Sequence, residues 1–210
     1  ALICGDFSGI QKYIYAISSA KGHAKGLKAR SFKLALMSDA IAKSLLNRFE
    51  LSLVNLIFSS GGKFFILGHQ EIKEEINRRD KGSYLYELEK NLWQEYNGEL
   101  FVGLGAVSLS GQDFMNPNFG NRWQEVIRAC DETKKRKFGT LIEADYNTVF
   151  LPFGKGGLAP VCDVCRKEAD EKRNIGEDKD KETGEVLRHI CSDCKNLELL
   201  GQALANTNIV

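Results

Sequence analysis

Four of the six cysteines fall as Cys162-x2-Cys165 and Cys191-x2-Cys194, with 25 residues between the two pairs. Residues 166–188, inside that interval, hold seven Lys or Arg and eight Asp or Glu in 23 positions. A segment this polar cannot supply a hydrophobic core, so its order must come from another source. Two CxxC knuckles provide one: four thiolates can meet at a single tetrahedral zinc ion, with Zn–S bonds near ~2.3 Å. The interval is longer than the roughly 15–20 residues of the usual zinc pattern. A longer loop costs little, because closure entropy grows only logarithmically with length. Two disulfides or a redox CxxC are the competing readings. Nothing in the sequence indicates an oxidising compartment, and a redox motif needs one pair rather than two. His189, two positions before Cys191, reads as a neighbour of the cluster rather than a ligand. Four protein ligands leave no open coordination position, so zinc on Cys162, Cys165, Cys191 and Cys194 is expected to be structural.

At 210 residues the chain is one large domain or two small ones. It is 43% hydrophobic and 27% charged, the composition of a globular protein rather than a disordered one. Lys plus Arg is 29 and Asp plus Glu is 28, a net charge of +1. That balance creates no whole-molecule field, so binding to nucleic acid or anionic lipid would require a local patch. No apolar run approaches the ~18–20 residues that span a bilayer, and no basic-then-apolar stretch resembles a signal peptide. A cytoplasmic location without a membrane partner is the expectation. The chain opens on Ala1-Leu2-Ile3-Cys4, already strand-like and without an initiator Met, which reads as a segment of a longer protein. Cys4 and Cys130 stand alone in apolar surroundings and read as small core side chains.

Residues 1–6 read as a strand, and residues 8–18 as a helix carrying Ile10, Tyr13, Ile14 and Ile17, with Ser8 as its N-cap. Residues 20–30, with two glycines, read as a loop, and residues 31–49 as an amphipathic helix carrying Phe32, Leu36, Ile41, Leu45 and Phe49. Two apolar runs at 53–59 and 63–67 flank Ser60-Gly61-Gly62, a hairpin signal. Residues 71–96 are helical with a break near Gly82-Ser83. A buried strand is expected at 100–109, a helix at 119–136 and a further strand at Thr148–Leu151. The pattern is βαββαβ with an inserted helix, the ferredoxin-like α+β arrangement, with the hairpin strands expected to be central. It predicts a cyclase-like domain over 1–153. A linker at Gly154-Lys155-Gly156-Gly157 opens a small four-cysteine zinc domain over 154–210.

Ser59-Ser60-Gly61-Gly62-Lys63-Phe64 sits where nucleotide cyclases and polymerase-type palm domains carry Gly-Gly followed by acids that hold magnesium. Here Lys63 and Phe64 replace those acids. Asp6 on the first strand is a candidate carboxylate, although one alone makes a poor two-metal site. A plain tight turn is the competing reading of Gly61-Gly62. Gly5-Asp6-Phe7-Ser8-Gly9, a strand-to-helix turn, could offer backbone N–H groups to a phosphate. Residues 7–38 carry six Lys or Arg and no acid. Within them Lys25, Lys28 and Arg30 are candidates for phosphate or RNA contact, against the alternative of a solvated face.

Gly5-Asp6-Phe7-Ser8-Gly9-Ile10-Gln11-Lys12-Tyr13-Ile14, Lys28-Ala29-Arg30-Ser31-Phe32, Ser59 to Leu67 and the paired CxxC knuckles follow one another in this order. In that combination the chain resembles the large subunit of type III-A CRISPR effector complexes, the Csm-type, Cas10-like signature family. The resemblance implies an HD nuclease domain, a first palm, a zinc-bearing domain, a second palm with a Gly-Gly-Asp-Asp hairpin and a helical domain. This chain is similar to the first palm and the zinc-bearing domain. Leu199-Leu200-Gly201-Gln202-Ala203-Leu204 matches the start of the segment leading onward.

The resemblance implies a role in antiviral defence. The paired palms would convert ATP to cyclic oligoadenylate once the guide RNA complex captures target RNA. Gly5, Asp6, Ser8, Gly9, Gly61 and Gly62 would line part of the nucleotide pocket. Magnesium would be held mainly by the second palm, so ATP with magnesium is expected only in its presence. Partners would be the other subunits, guide RNA, target RNA and ATP. With no HD pair and no Asp-Asp hairpin, this chain by itself is expected to be inactive, with no catalytic residue of its own. Two alternatives stay open. One is a scaffold that is purely structural or contacts RNA. The other is a stand-alone nucleotide cyclase relative, against which Lys63 and Phe64 argue.

Overall fold

The computed structural model describes residues 1–16, 22–115, 119–151, 157–170 and 173–206. In chain order the elements are β1 (Leu2–Ser8), α1 (Ile10–Tyr15), α2 (His23–Arg48), β2 (Leu56–Ser60) and β3 (Lys63–Leu67), with a short 3-10 turn at Leu53–Asn55. There follow α3 (Glu71–Asn77), α4 (Tyr84–Tyr96), β4 (Phe101–Val107), α5 (Gly111–Met115), α6 (Phe119–Lys135), α7 (Gly139–Ala144) and α8 (Tyr146–Phe150). The last elements are β5 (Ile175–Lys179), β6 (Val186–Cys191) and α9 (Ser192–Asn206). The chain divides into two compact units, Ala1–Ile10 with Leu34–Leu151, and Gln11–Lys33 with Pro152–Val210. Residues 11–33 thus belong with the C-terminal segment, whereas the sequence reading groups them with 1–153. Of the predicted linker Gly154-Lys155-Gly156-Gly157, residues 154–156 lie outside the described residues, as does the 153/154 boundary.

The first unit is built on a sheet of order β2-β3-β1-β4, every neighbouring pair antiparallel. Side chains alternate across β1 with the period of two that a pleated strand imposes. Leu2 and Cys4 face α6, where they form a buried cluster with Phe65, Val126 and Cys130. Ile3 points the other way, towards Ile66 opposite it and Ile72 of α3. Both lone cysteines are core residues, as their apolar settings imply. Each fully buried Leu, Ile or Phe contributes about 1.5–3 kcal/mol, and β1 and β4 bring several.

Three sequence expectations give way. The hairpin strands are not both central: β3 is, but β2 is an edge strand that leaves Ile57 and Phe58 about half exposed. An apolar run does not say how many neighbours it has. The loop expected at 20–30 is helix from His23 onward. Its inward positions are Gly26, Ala29 and Arg30, so small residues and a cation replace the apolar stripe that normally signals a helix face. The strand expected at Thr148–Leu151 is helical as well. Val149 is buried there and Tyr146 stacks on Phe150 at 4.4 Å, an i,i+4 contact that only a helix makes. The break near Gly82-Ser83 is present: Ser83 accepts a hydrogen bond from the Tyr86 backbone N–H and starts α4.

The second unit has little apolar material. One described cluster joins Cys162, Val164, Ile190, Cys191 and Cys194, with Cys165 and Ile175 against it, and Tyr13, Ala29 and Ala159 are buried as well. β5 and β6 pair antiparallel across the charged interval. Arg188 of β6 is buried between Asp178, at 2.9 Å, and Glu198 of α9, which it grips through both terminal nitrogens at 2.9 and 2.7 Å.

Candidate functional site

Gly61 and Gly62 have φ of +64° and +82°. A two-residue hairpin turn with both central residues in the left-handed region matches the twist of its strands, and glycine adopts it at least cost. The Phe7 N–H donates to the Gly62 carbonyl at 2.9 Å, tying the turn to β1. The other candidate glycines are explained inside the protein. A Cβ on Gly5 would sit 2.1 Å from the Phe64 ring, its partner across the β1–β3 ladder. One on Gly9 would meet the Glu99 carbonyl oxygen at 2.0 Å, and one on Gly62 the Ile10 side chain at 2.8 Å. Only at Gly61, among these four, does the space beyond Cα stay open. Ser8 ends β1 opposite Phe101.

Asp6 lies opposite Lys63 across the ladder and opposite Gly103 on its other side. Its Oδ2 is 3.2 Å from the Lys63 ammonium and 2.6 Å from that of Lys134 in α6. Lys134 also holds Asp131 at 2.7 Å. Gly103 lets the lysine stem in, since a Cβ there would lie 2.5 Å from Lys134 Cγ. Burial alone would lower the Lys134 pKa, but hydrogen bonds to Asp131 and Asp6 outweigh it and raise the value. The one carboxylate that the first strand brings to the hairpin is therefore committed to two ammonium groups. Lys134 and Asp131 were not legible as site residues: the Asp6 contact spans 128 positions of sequence.

Lys25 and Lys28 reach α9, donating to the Gln202 side-chain oxygen and to the Leu204 carbonyl, both at 3.1 Å. Lys28 thereby satisfies a carbonyl in the last turn of that helix. Arg30 is 5% exposed. It donates to the Tyr13 carbonyl at 2.5 Å, lies 5.4 Å from the Tyr13 ring centroid and points a second nitrogen at Cys194 Sγ, 3.9 Å away.

The four knuckle cysteines converge. Their Sγ atoms all lie within 4.8 Å of one another, three of the residues buried and Cys165 partly so. Cys165 and Cys191 are 3.8 Å apart. Tetrahedral ligands with ~2.3 Å bonds stand about 3.8 Å apart, whereas a disulfide needs about 2.05 Å. All six cysteines are free thiols here. Backbone N–H groups of Cys191 and Cys194 donate to the sulfurs of Cys162 and Cys191 at 3.3 and 3.4 Å. Cys162 is held far below the ordinary thiol range by hydrogen bonds from Cys165, Cys191 and Cys194, while the same crowding drives Cys194 up. Four thiols this close fit a cation better than four protons, and the set could hold a metal ion. His189 stays outside the cluster, half-exposed, with its ring 3.7 Å from Asp163.

The fold and its sites define an α+β protein with an antiparallel sheet in one unit and a four-thiol centre in the other. A family model described as Csm1 subunit domain B matches residues 1–151, and the chain belongs to that family. It is 28% identical over 219 residues to a subtype III-A CRISPR single-strand-specific deoxyribonuclease, Cas10/Csm1, of Methanocaldococcus jannaschii, covering 98% of this chain and 25% of that protein. The Cas10/Csm1 of Streptococcus thermophilus is 32% identical over 172 residues, covering 76% and 21%. Among solved structures, an apo Csm1–Csm4 cassette superposes with a TM-score of 0.58 at 24% identity, covering 90% of this chain and 25% of the other. A Csm1–Csm4 cassette in complex with one ATP superposes at 0.57 with 25% identity and the same coverage. The chain thus spans about a quarter of the length of these relatives. Among the described residues no helix is long and apolar enough to cross a membrane.

Proposed function

We propose that this chain supplies the first palm and the zinc-bearing domain of a type III-A effector large subunit, with the palm assisting ATP binding and carrying no catalytic metal. The sheet order β2-β3-β1-β4, with helices between its strands, supports a ferredoxin-like palm. The observation that carries the non-catalytic reading is the engagement of Asp6 by Lys63 and Lys134. A metal-dependent nucleotidyl transfer needs carboxylates that hold divalent cations beside the phosphates. This palm offers ammonium groups there instead. The Csm1–Csm4 cassette solved in complex with one ATP supports nucleotide as the ligand class. Synthesis of cyclic oligoadenylate, and assembly with a Csm4-like subunit, guide RNA and target RNA, belong to the whole large subunit in this reading.

In this chain the nucleotide surface is formed by Gly5, Asp6, Ser8, Gly9, Gly61 and Gly62. Gly61 is the position with room for a ligand. Lys63, whose side chain is 35% exposed, has further N–H donors to offer a phosphate beyond its contact with Asp6. Lys25, Lys28 and Arg30 are engaged within the second unit, which makes them weaker candidates for phosphate or RNA than Lys63. The four cysteines hold structural zinc: the soft, buried donor set fits it, and a closed Cys4 site supplies folding energy rather than chemistry.

Titrating the chain with ATP tests this. Chemical-shift changes are expected at Gly61 and Ser8 with a dissociation constant on the order of millimolar, near −4 kcal/mol. ATP and magnesium together should give no cyclic oligoadenylate. Product from the pure chain would favour a stand-alone cyclase. Silence at both residues would favour a scaffold, the reading that the self-filled spaces at Gly5, Gly9 and Gly62 support.

A further inference from the structure

Arg30 is a buried cation, and among the described residues it has no carboxylate partner. A buried guanidinium needs a counter-charge, because desolvation penalises an unpaired ion heavily. Its guanidinium donates to a backbone carbonyl in α1 and to a sulfur of the four-cysteine cluster. Four thiolates around a divalent ion carry a net charge of about −2, which is the missing anion.

A second guanidinium lies by the cluster. Arg173 feels Cys165 and Cys191 but is already held by Asp170 at 2.8 Å and Asp193 at 3.3 Å. Arg30 differs in that its remaining contacts run to a distant stretch of chain. It stacks against Tyr13 and sits in the part of α2 whose Lys25 and Lys28 engage α9. At Gly201 a Cβ would lie 2.0 Å from the Lys25 carbonyl oxygen, so α9 and the start of α2 approach with no side chain between them.

We infer that Arg30 is a positioning residue of the metal centre, donating to the Cys194 thiolate and so coupling metal loading to the order of Tyr13 and the first turns of α2. The inference rests on the reading that the four cysteines hold a metal ion. It concerns a residue 164 positions away from Cys194 in sequence. Outer partners of metal ligands fix ligand orientation and charge, and losing one typically costs 10–100-fold in metal affinity.

The test uses the whole chain. Elemental analysis comes first, with about one zinc per chain expected. Metal release to a colorimetric chelator is then timed for the wild type, Arg30→Met and Arg30→Lys. Arg30→Met should release metal about tenfold faster or more. Arg30→Lys keeps the charge but cannot bridge the carbonyl and the sulfur together, so it should fall between. In the wild type, stripping the metal should speed hydrogen exchange at amides 22–33, a readout that does not depend on any variant folding. Zinc at one per chain with unchanged release rates, or with exchange at 22–33 indifferent to metal, overturns the role of Arg30 alone. Absence of bound metal in the wild type overturns the metal reading and this inference together.

Discussion

Glu89, in the middle of α4, is 1% exposed and accepts a hydrogen bond from the Leu141 backbone N–H at 2.8 Å. Burial pushes its pKa from 4.5 up to about 7, against the opposing pull of the Leu141 bond and the Arg79 charge. Between those two values the folded chain keeps a proton that the unfolded chain releases. Stability therefore falls as pH rises from about 4.5 to about 7, and up to about 3 kcal/mol is at stake. Glu89→Gln keeps an acceptor for Leu141 and never ionises. Urea midpoints at pH 5 and pH 8 should show the wild type losing stability relative to the variant at the higher pH. Parallel pH profiles for the two proteins would exclude Glu89 as the source. Nothing in the sequence singles this residue out, because a glutamate in a charge-rich helix normally faces water and its burial depends on α7 arriving from 50 residues away.

At the scale of elements, legibility followed locality. The β2–β3 hairpin was readable because both glycines sit between apolar runs, and the α3–α4 break because Ser83 caps locally. The edge position of β2 was not readable, since it depends on β1 inserting between β3 and β4. The helical start of α2 was hidden because its buried side carries Gly26, Ala29 and Arg30. The hairpin glycines now separate into two roles. Gly62→Val puts a β-branched residue at φ +82° beside Ile10 and should cost at least about 2 kcal/mol. Gly61→Ala has open space but φ +64°, so it should cost about 1 kcal/mol. Thermal or urea melts of both variants check this. Equal losses would mean that backbone geometry alone, and not the packing around Gly62, sets the requirement. Gly61→Ala is then the cleaner probe of nucleotide contact, because it disturbs the fold less.

At the scale of the whole molecule, the two units derive their order from different physics. The four-cysteine cluster was the most legible site in the sequence, because CxxC spacing is local and a charged interval cannot fold around a core of its own. The surroundings of Asp6 were the least legible, since Asp6, Lys63 and Lys134 meet only once β1, β3 and α6 are packed. The first unit is held by apolar side chains such as Leu2, Ile3, Phe64, Ile66, Phe101 and Leu104, and its two thiols, Cys4 and Cys130, are core residues outside the four-cysteine cluster. In the second unit the knuckle cysteines supply three of the five buried residues of the cluster around them, so metal-binding energy there is folding energy. Both tryptophans of the chain, Trp93 and Trp123, lie in the first unit, Trp93 edge-on to Phe138 and Trp123 stacked on Phe65. Tryptophan fluorescence therefore reports on that unit by itself. Stripping zinc with a strong chelator under reducing conditions should abolish hydrogen-exchange protection at residues 186–194 and leave the tryptophan-detected urea midpoint unchanged. Cys162→Ser should reproduce both results without chelator. A tryptophan midpoint that falls when zinc is removed would show that the two units unfold as one, and the independence of the sheet unit from the metal would have to be abandoned.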